Sequence, residues 1–375
     1  MIFFLIMLSS ASFLAICRNR VTFLFWVFLA LVSAFRYEVG SDYISYTALY
    51  YDIKTGYQSY LHLEPFHLVL TQFANYFDLG PQFVFLIYSL LTSYFFGVFF
   101  YKMSNEFKDL NGRLIFSLCT ILYLGNYYFL TLNSIRSCLA ASLYALAMLY
   151  YINNKRLLML SLLIVGGTIH FSLIPVALVS VFLLKFILPV KNKWFYLYIL
   201  IILTNPLSIV KYIFVTYKLM YYNYFLSDTY AVPANFIGQI SAYGGVALTI
   251  MFYYFYVRIL KLENIRMMAV LQLSVILFIA FRIFSSELFI FARMSRYFSP
   301  ILYLFISVAI VYYIQKKTII NLRPHLLGGV YLILILSNII MFIPRGLNDP
   351  SYGNYKINYC IESTVVCDIS ISTLN

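Results

Sequence analysis

The chain has 375 residues, of which 63% are hydrophobic and only 10% charged, with a mean hydropathy of +0.87. Soluble domains are roughly half apolar and about a quarter charged, so a water-soluble fold cannot bury this much apolar surface. The formal net charge of +13 would suggest nucleic acid in a soluble protein. Here the basic residues collect in short stretches between apolar runs, where they set orientation in a bilayer, and no basic-aromatic surface is left for nucleic acid.

Apolar runs long enough to cross a bilayer as helices recur along the chain. They place candidate spans at about 2–16, 21–35, 81–101, 114–130, 134–152, 157–171, 172–188, 194–210, 237–257, 267–283, 297–315 and 326–343. The first run, IFFLIMLSSASFLAIC, lacks a basic leader and a small-residue cleavage site, so it is expected to be a retained helix. The segment from Glu64 to Pro81 is shorter and carries His67, Gln72, Asn75 and Asp78. It is expected to form an amphipathic or re-entrant helix that does not cross.

Loop charge supports this count. With the Arg18/Arg20 loop inside, the inner loops hold 16 of the 26 basic residues against three acids, and the outer side holds 10 basic and 10 acidic residues. The whole net charge of +13 then lies on one side, a positive-inside signal, and both termini lie outside. The expectation is an all-α polytopic membrane protein of about twelve transmembrane helices forming a single domain over 1–375. Outer loops cover 36–80 and 211–236, and a polar tail covers 344–375. Cys17, Cys119, Cys138, Cys360 and Cys367 show no metal-ligand spacing. Cys360 and Cys367 share the tail and would pair only in an oxidising compartment; free thiols are the default.

A second polar set remains once the inner loops are assigned: Arg36, Asp42, Glu64, His67, Arg136, His170, Arg282, Glu287, Arg293 and Arg296. Ionisable groups at membrane depth cost about 2.5–3.5 kcal/mol each on insertion scales, so they face a cavity or a partner. Five are arginines, whose planar fork of donors suits phosphate oxygens. Arg36 alone is equally a helix-end residue snorkelling to the interface. Arg136 opens an otherwise apolar helix beside small residues that permit close packing. His170 stands at a break between two short apolar halves, after Gly166-Gly167 and before Pro175; a lone histidine is otherwise a satisfied core residue. Arg293 and Arg296 are spaced to share a helical face, with Glu287 as neutralising acid or a phosphate as ligand between them. Outer-loop tyrosines such as Tyr43, Tyr46, Tyr50, Tyr51, Tyr221, Tyr222 and Tyr224 either form an interfacial belt or stack on sugars. Walker loops, GxSxG, HExxH and DxD-type clusters are absent from the sequence, which disfavours a nucleotide-sugar donor.

The stretch LNSIRSCLAASLYALAMLYYINNKRLLMLSLLIVGGTIHFSLIPVAL resembles the core pattern of the EpsG family of bacterial polysaccharide-synthesis proteins. An N-x-x-R helix with small residues is followed by a helix ending in His-x-Ser, which places Asn133, Arg136, Ala140, His170 and Ser172. FRYEVGSDYISY is similar to the family's early segment and places Arg36, Gly40, Asp42, Tyr43 and Tyr46. RMSRYFSP resembles its late arginine-aromatic segment.

The resemblance implies a Wzy-type O-antigen polymerase with GT-C-like architecture in the bacterial inner membrane, its site facing the periplasm. Such an enzyme transfers a glycan from undecaprenyl diphosphate to the terminal sugar hydroxyl of another lipid-linked unit. No cofactor or metal is expected; partners would be undecaprenyl-diphosphate-linked oligosaccharides, the bilayer and a chain-length regulator protein. The implied site has His170, then Asp42 or Glu64, as base. Arg36, Arg136, Arg293, Arg296, Arg282, Tyr43, Tyr46 and Asn133 would bind substrate. The competing readings are a flippase of the same lipid-linked unit, an O-antigen ligase and a sugar acyltransferase. Transporters are often built from internal repeats, which are not evident here, and the polar residues gather at one face rather than along a central path.

Overall fold

The protein is described here by a computed structural model covering residues 19–36, 42–56, 63–204, 207–218, 243–247, 249–250, 253–254, 256, 264–285 and 289–316. The expected first helix, the 326–343 span, the polar tail with its two cysteines, Glu287, and Tyr221, Tyr222 and Tyr224 lie outside the described residues.

Among the described residues the regular elements are helices. They are α1 Asn19–Ala34, α2 Tyr43–Thr55, α3 Pro65–Tyr76, α4 Gly80–Asn105, α5 Gly112–Asn126, α6 Tyr128–Asn133 and α7 Ile135–Ile152. Then follow α8 Arg156–Ile169, α9 Leu173–Phe186, α10 Asn192–Leu203, α11 Leu207–Thr216, α12 Ile265–Phe284, α13 Phe289–Ser295 and α14 Ser299–Lys316. Three of them, α4, α7 and α12, are long and apolar enough to cross a membrane, and six shorter apolar helices accompany them. Among the described residues the fold is all-helical, and its apolar helices make this a membrane protein.

The helix ends follow local chemistry. Pro65 and Pro81 occupy first-turn positions of α3 and α4, where their missing N–H costs nothing. Asn111 caps α5 by accepting from the Leu114 amide at 3.2 Å, and Asn264 caps α12 by accepting from the Arg266 and Met267 amides. The α8–α9 hairpin turns at His170, whose backbone is extended (φ −153°, ψ 114°). Gly80, at φ 73°, turns the chain from α3 into α4.

Several elements differ from the hydropathy reading. The apolar run 114–130 is not one helix: the helix breaks at Tyr127, which separates α5 from the six-residue α6. The run 194–210 divides into α10, ending at Leu203, and α11, beginning at Leu207. The tyrosine-rich segment 36–65 contains the helix α2, which packs on α3 and α4. Its low apolar periodicity hid it. Lys54 near the end of α2 pairs with Asp78 after α3 at 2.7 Å, an exposed contact that contributes little.

At the centre, α4 and α7 pack against one another, with α1 along α4 and α8 along α7. Rings fill the space between α1, α4 and α5: Trp26 lies 4.6 Å from Tyr123, and Phe96 lies 5.3 Å from Tyr123 and 5.2 Å from Tyr127. Gly97 lets α4 meet the Trp26 ring, since a Cβ there would stand 3.4 Å from Cγ and Cδ2 of the indole. We expect Gly97→Ala to be tolerated and Gly97→Leu to destabilise by about 1–3 kcal/mol, because the added atoms find no space against a fully buried ring. Thermal unfolding in detergent checks both.

Candidate functional site

Three separated segments meet at one carboxylate. Glu64 sits in extended conformation just ahead of α3, outside the long membrane helices, with Pro65 fixing the chain's exit into the helix. Arg136 lies in the first turn of α7, and His170 forms the turn between α8 and α9. Glu64 Oε2 accepts from Arg136 Nη1, and Glu64 Oε1 bonds His170 Nδ1 at 2.8 Å. The partners are 72 and 106 residues away along the chain. Only 8% of the Glu64 side chain is exposed, against 23% for Arg136 and 24% for His170. The carboxylate is therefore sunk, and its two partners reach toward the surface.

Tyr46 completes the arrangement. Its hydroxyl accepts from Arg136 Nε at 3.4 Å, and the Arg136 guanidinium stands 5.3 Å from its ring centroid. Beneath it, the buried His67 lies 5.8 Å from the Tyr46 ring and bonds the Tyr88 hydroxyl through Nδ1 at 3.2 Å. His67 Nε2 has no partner among the described residues.

Arg36, at the end of α1, is buried with its guanidinium 4.5 Å over the Phe85 ring. Nη1 donates to the Ser33 carbonyl, while Nε and Nη2 find no partner among the described residues. Gln82 Nε2 donates to the Arg36 carbonyl at 3.1 Å and to the Tyr43 hydroxyl at 2.8 Å, tying α1, α2 and α4 together. Tyr43 stacks on Phe85 at 5.0 Å and is 2% exposed. Asp42 precedes α2 without capping it through its side chain and lies within electrostatic reach of Arg36 and Tyr46.

The late arginines part company. α13 ends at Ser295, so Arg293 is helical and exposed, while Arg296 begins the turn into α14 and is partly buried. The expected shared helical face is lost because the helix stops between them. Arg296 Nη1 donates to Ser134 Oγ at 3.2 Å, two residues before Arg136. Next to it, the Tyr297 hydroxyl bonds Ser172 Oγ at 2.8 Å, two residues after His170. Asn133, buried at the end of α6, immediately precedes Ser134. Arg282 sits in the last turn of α12, 5.3 Å over Phe278. Among the described residues, no group of three or more His, Cys, Asp or Glu side chains is placed to hold a metal ion.

Sequence reading missed Ser134, Gln82, Tyr88 and Tyr297, which carry no motif of their own. It named Glu64 as a reserve base and had no means of seeing that this residue joins the other two. The sole local signal was an acid directly before a proline that opens a helix.

The fold and this site define an integral membrane protein with a carboxylate-organised group of arginine and histidine at the meeting point of five helices. The EpsG family profile matches residues 19–358, and the chain belongs to that family, a family of Wzy-like polymerases associated with glycosyltransferase-like activity. No curated protein and no solved structure matches the chain.

Burial opposes the charge of Glu64, but the His170 hydrogen bond and the Arg136 guanidinium outweigh it and bring its pKa from 4.5 down to about 2. A depressed carboxylate stabilises the fold fully above its unfolded value of 4.5 and loses that contribution as pH falls through about 2. The gap in melting temperature between wild type and Glu64→Gln is therefore expected to hold above pH 4.5 and to narrow below it. Glu64→Ala should cost about 3–5 kcal/mol by leaving Arg136 without its acid. A double-mutant cycle with Arg136→Ala should give a coupling above roughly 1 kcal/mol. Denaturation in mild detergent measures each term.

Proposed function

We propose that the protein polymerises lipid-linked oligosaccharide repeat units. It transfers the growing glycan from undecaprenyl diphosphate to the terminal sugar hydroxyl of an incoming undecaprenyl-diphosphate-linked unit. In this reading about twelve helices in a GT-C-like arrangement cross the bacterial inner membrane, with the site and both termini on the periplasmic face. The one-sided loop charge supports that orientation.

The observation that carries the reading is the grip of one carboxylate on both Arg136 and His170. It brings a cation suited to a diphosphate beside a base suited to a hydroxyl. Glu64 accepting from Nδ1 selects the histidine tautomer in which Nε2 is free to take a proton. The acceptor hydroxyl loses its proton to His170 Nε2 as its oxygen attacks the anomeric carbon. The bond from that carbon to the diphosphate oxygen breaks, and the diphosphate leaves with the electron pair. Arg136 commits Nη1 and Nε within the protein and keeps Nη2 for a phosphate oxygen.

Arg36, with two guanidinium nitrogens still to satisfy, is the second cation of this reading, and Arg296 and Arg293 extend the set along the α13–α14 turn. Arg282 has the outlying place. Tyr46 and Tyr43 support Arg136 and Gln82 instead of serving as sugar platforms, and Glu64 is a positioning residue, not the base. In this reading Asp42 and Asn133 are assigned to the acceptor sugar.

Arg136→Ala and His170→Ala are each expected to abolish long chains while single repeat units still cap the lipid anchor. Transfer in His170→Ala should fall by about 10²–10⁴-fold, the range of a lost general base. Gel analysis of surface glycan reads both, and a normal chain-length ladder in Arg136→Ala would sink the diphosphate assignment.

A further inference from the structure

We propose that the apolar groove between α8 and α9 holds the diphosphate-proximal isoprene units of the donor substrate's polyisoprenyl tail, so that the hairpin delivers the donor's diphosphate to Glu64, Arg136 and His170. The proposal rests on the polymerase reading and adds to it a binding site for the lipid.

The groove has a volume of about 640 Å³ and follows both helices of the hairpin. At one end it is walled by Pro65, Thr168 and Phe171, of which Pro65 and Phe171 are chain neighbours of Glu64 and His170. At the other end it reaches Lys185 and Phe186, in the last turn of α9. A ligand lying in it therefore has one end at the polar site and the rest along 14-residue helices, about 21 Å of apolar wall.

The lining selects hydrocarbon. Among the described lining residues only Thr168 and Lys185 carry polar side-chain groups, one at each end of the groove. The Thr168 hydroxyl donates to the Val165 carbonyl at 2.7 Å, and the Lys185 ammonium stands 4.9 Å over the Phe186 ring. Ile164, Leu178 and Phe182, 69%, 67% and 54% exposed, give the groove walls apolar surface that hydrocarbon would cover. Gly167 keeps the walls close without closing them: a Cβ there would stand 3.1 Å from Ile174 Cγ1.

Continuity with the site decides between a substrate tail and a bulk acyl chain. A membrane phospholipid gains only apolar contact from this groove. A polyprenyl diphosphate gains the same contact and places its anionic end beside Arg136, and that double engagement raises its affinity over phospholipid. The diphosphate nearest His170 is the one that leaves, so the tail assigned here is the donor's.

The test uses the full-length protein in nanodiscs of phosphatidylethanolamine and phosphatidylglycerol. Undecaprenyl diphosphate with a diazirine in its tail should label α8 and α9 around Ile164, Leu178 and Phe182. Excess unlabelled undecaprenyl diphosphate should compete, and added phosphatidylglycerol should not. Labelling spread evenly over the membrane-facing helices, or lost equally to phosphatidylglycerol, would overturn the proposal.

Ile164→Trp and Leu178→Trp fill the groove from opposite walls. Each should raise KM for an undecaprenyl-linked donor by about tenfold or more, the scale at which an apolar pocket discriminates, and leave a citronellyl-linked donor unaffected. Equal effects on both donors, or none, would also overturn it. Groove labelling by a protein that polymerises no substrate would leave the lipid site standing and remove the polymerase reading. Polymerisation with labelling elsewhere would do the reverse.

Discussion

A guanidinium set into the apolar end of a membrane protein is held best where an anion meets it. Arg136 has that anion in Glu64, a residue drawn from a different part of the chain and itself largely shielded from water. Because the same carboxylate also holds His170, the first turn of α7, the start of α3 and the tip of the α8–α9 hairpin are fixed relative to one another by a single side chain. Removing one partner of such a cluster costs more than the cluster contributes as a whole, since the remaining charge is left desolvated. The cluster is thus weak as a source of stability and strong as a specification of geometry.

Around that point the interior is built from rings and small residues. Trp26, Phe96, Phe100 and Tyr123 share a packed aromatic layer, and α7 contributes a run of buried alanines beside Cys138 and Ser142. Hydroxyls within this core find partners across helices: Tyr144 with Ser180, Ser172 with Tyr297, and Tyr253 with Gln272. Tyr297 matters most here, because it ties the start of α14 to the residue pair that follows His170. A helix distant in sequence thereby braces the histidine turn.

The membrane character and most helix positions among the described residues were legible in the sequence, because hydropathy is a local signal. Breaks within apolar runs were not. Tyr127 interrupts a stretch that remains hydrophobic on both sides, so only backbone geometry reveals it. The shared face expected of Arg293 and Arg296 failed for a similar reason, since spacing implies a face only where the helix continues. Glu64 was visible as an acid before Pro65, but its link to residues 72 and 106 positions away depends on tertiary packing that no local pattern encodes. The helix α2 was hidden by its composition: tyrosines at Tyr43, Tyr46 and Tyr50 read as outer-loop residues, yet they point into the packing with α3 and α4.

The hairpin of α8 and α9 has a consequence for the lipid around it. Each helix has 14 residues, and about 21 Å of rise falls short of a hydrocarbon layer of about 30 Å. In the twelve-helix reading proposed above, lipid packed against this face thins to match it, at a cost of fractions of a kcal/mol per ångström of mismatch. In that reading the bilayer is dimpled beside the histidine turn, and headgroups are drawn toward it. In the proposed reading, a lipid-borne phosphate then comes level with the arginine while its tail lies along the hairpin within the leaflet.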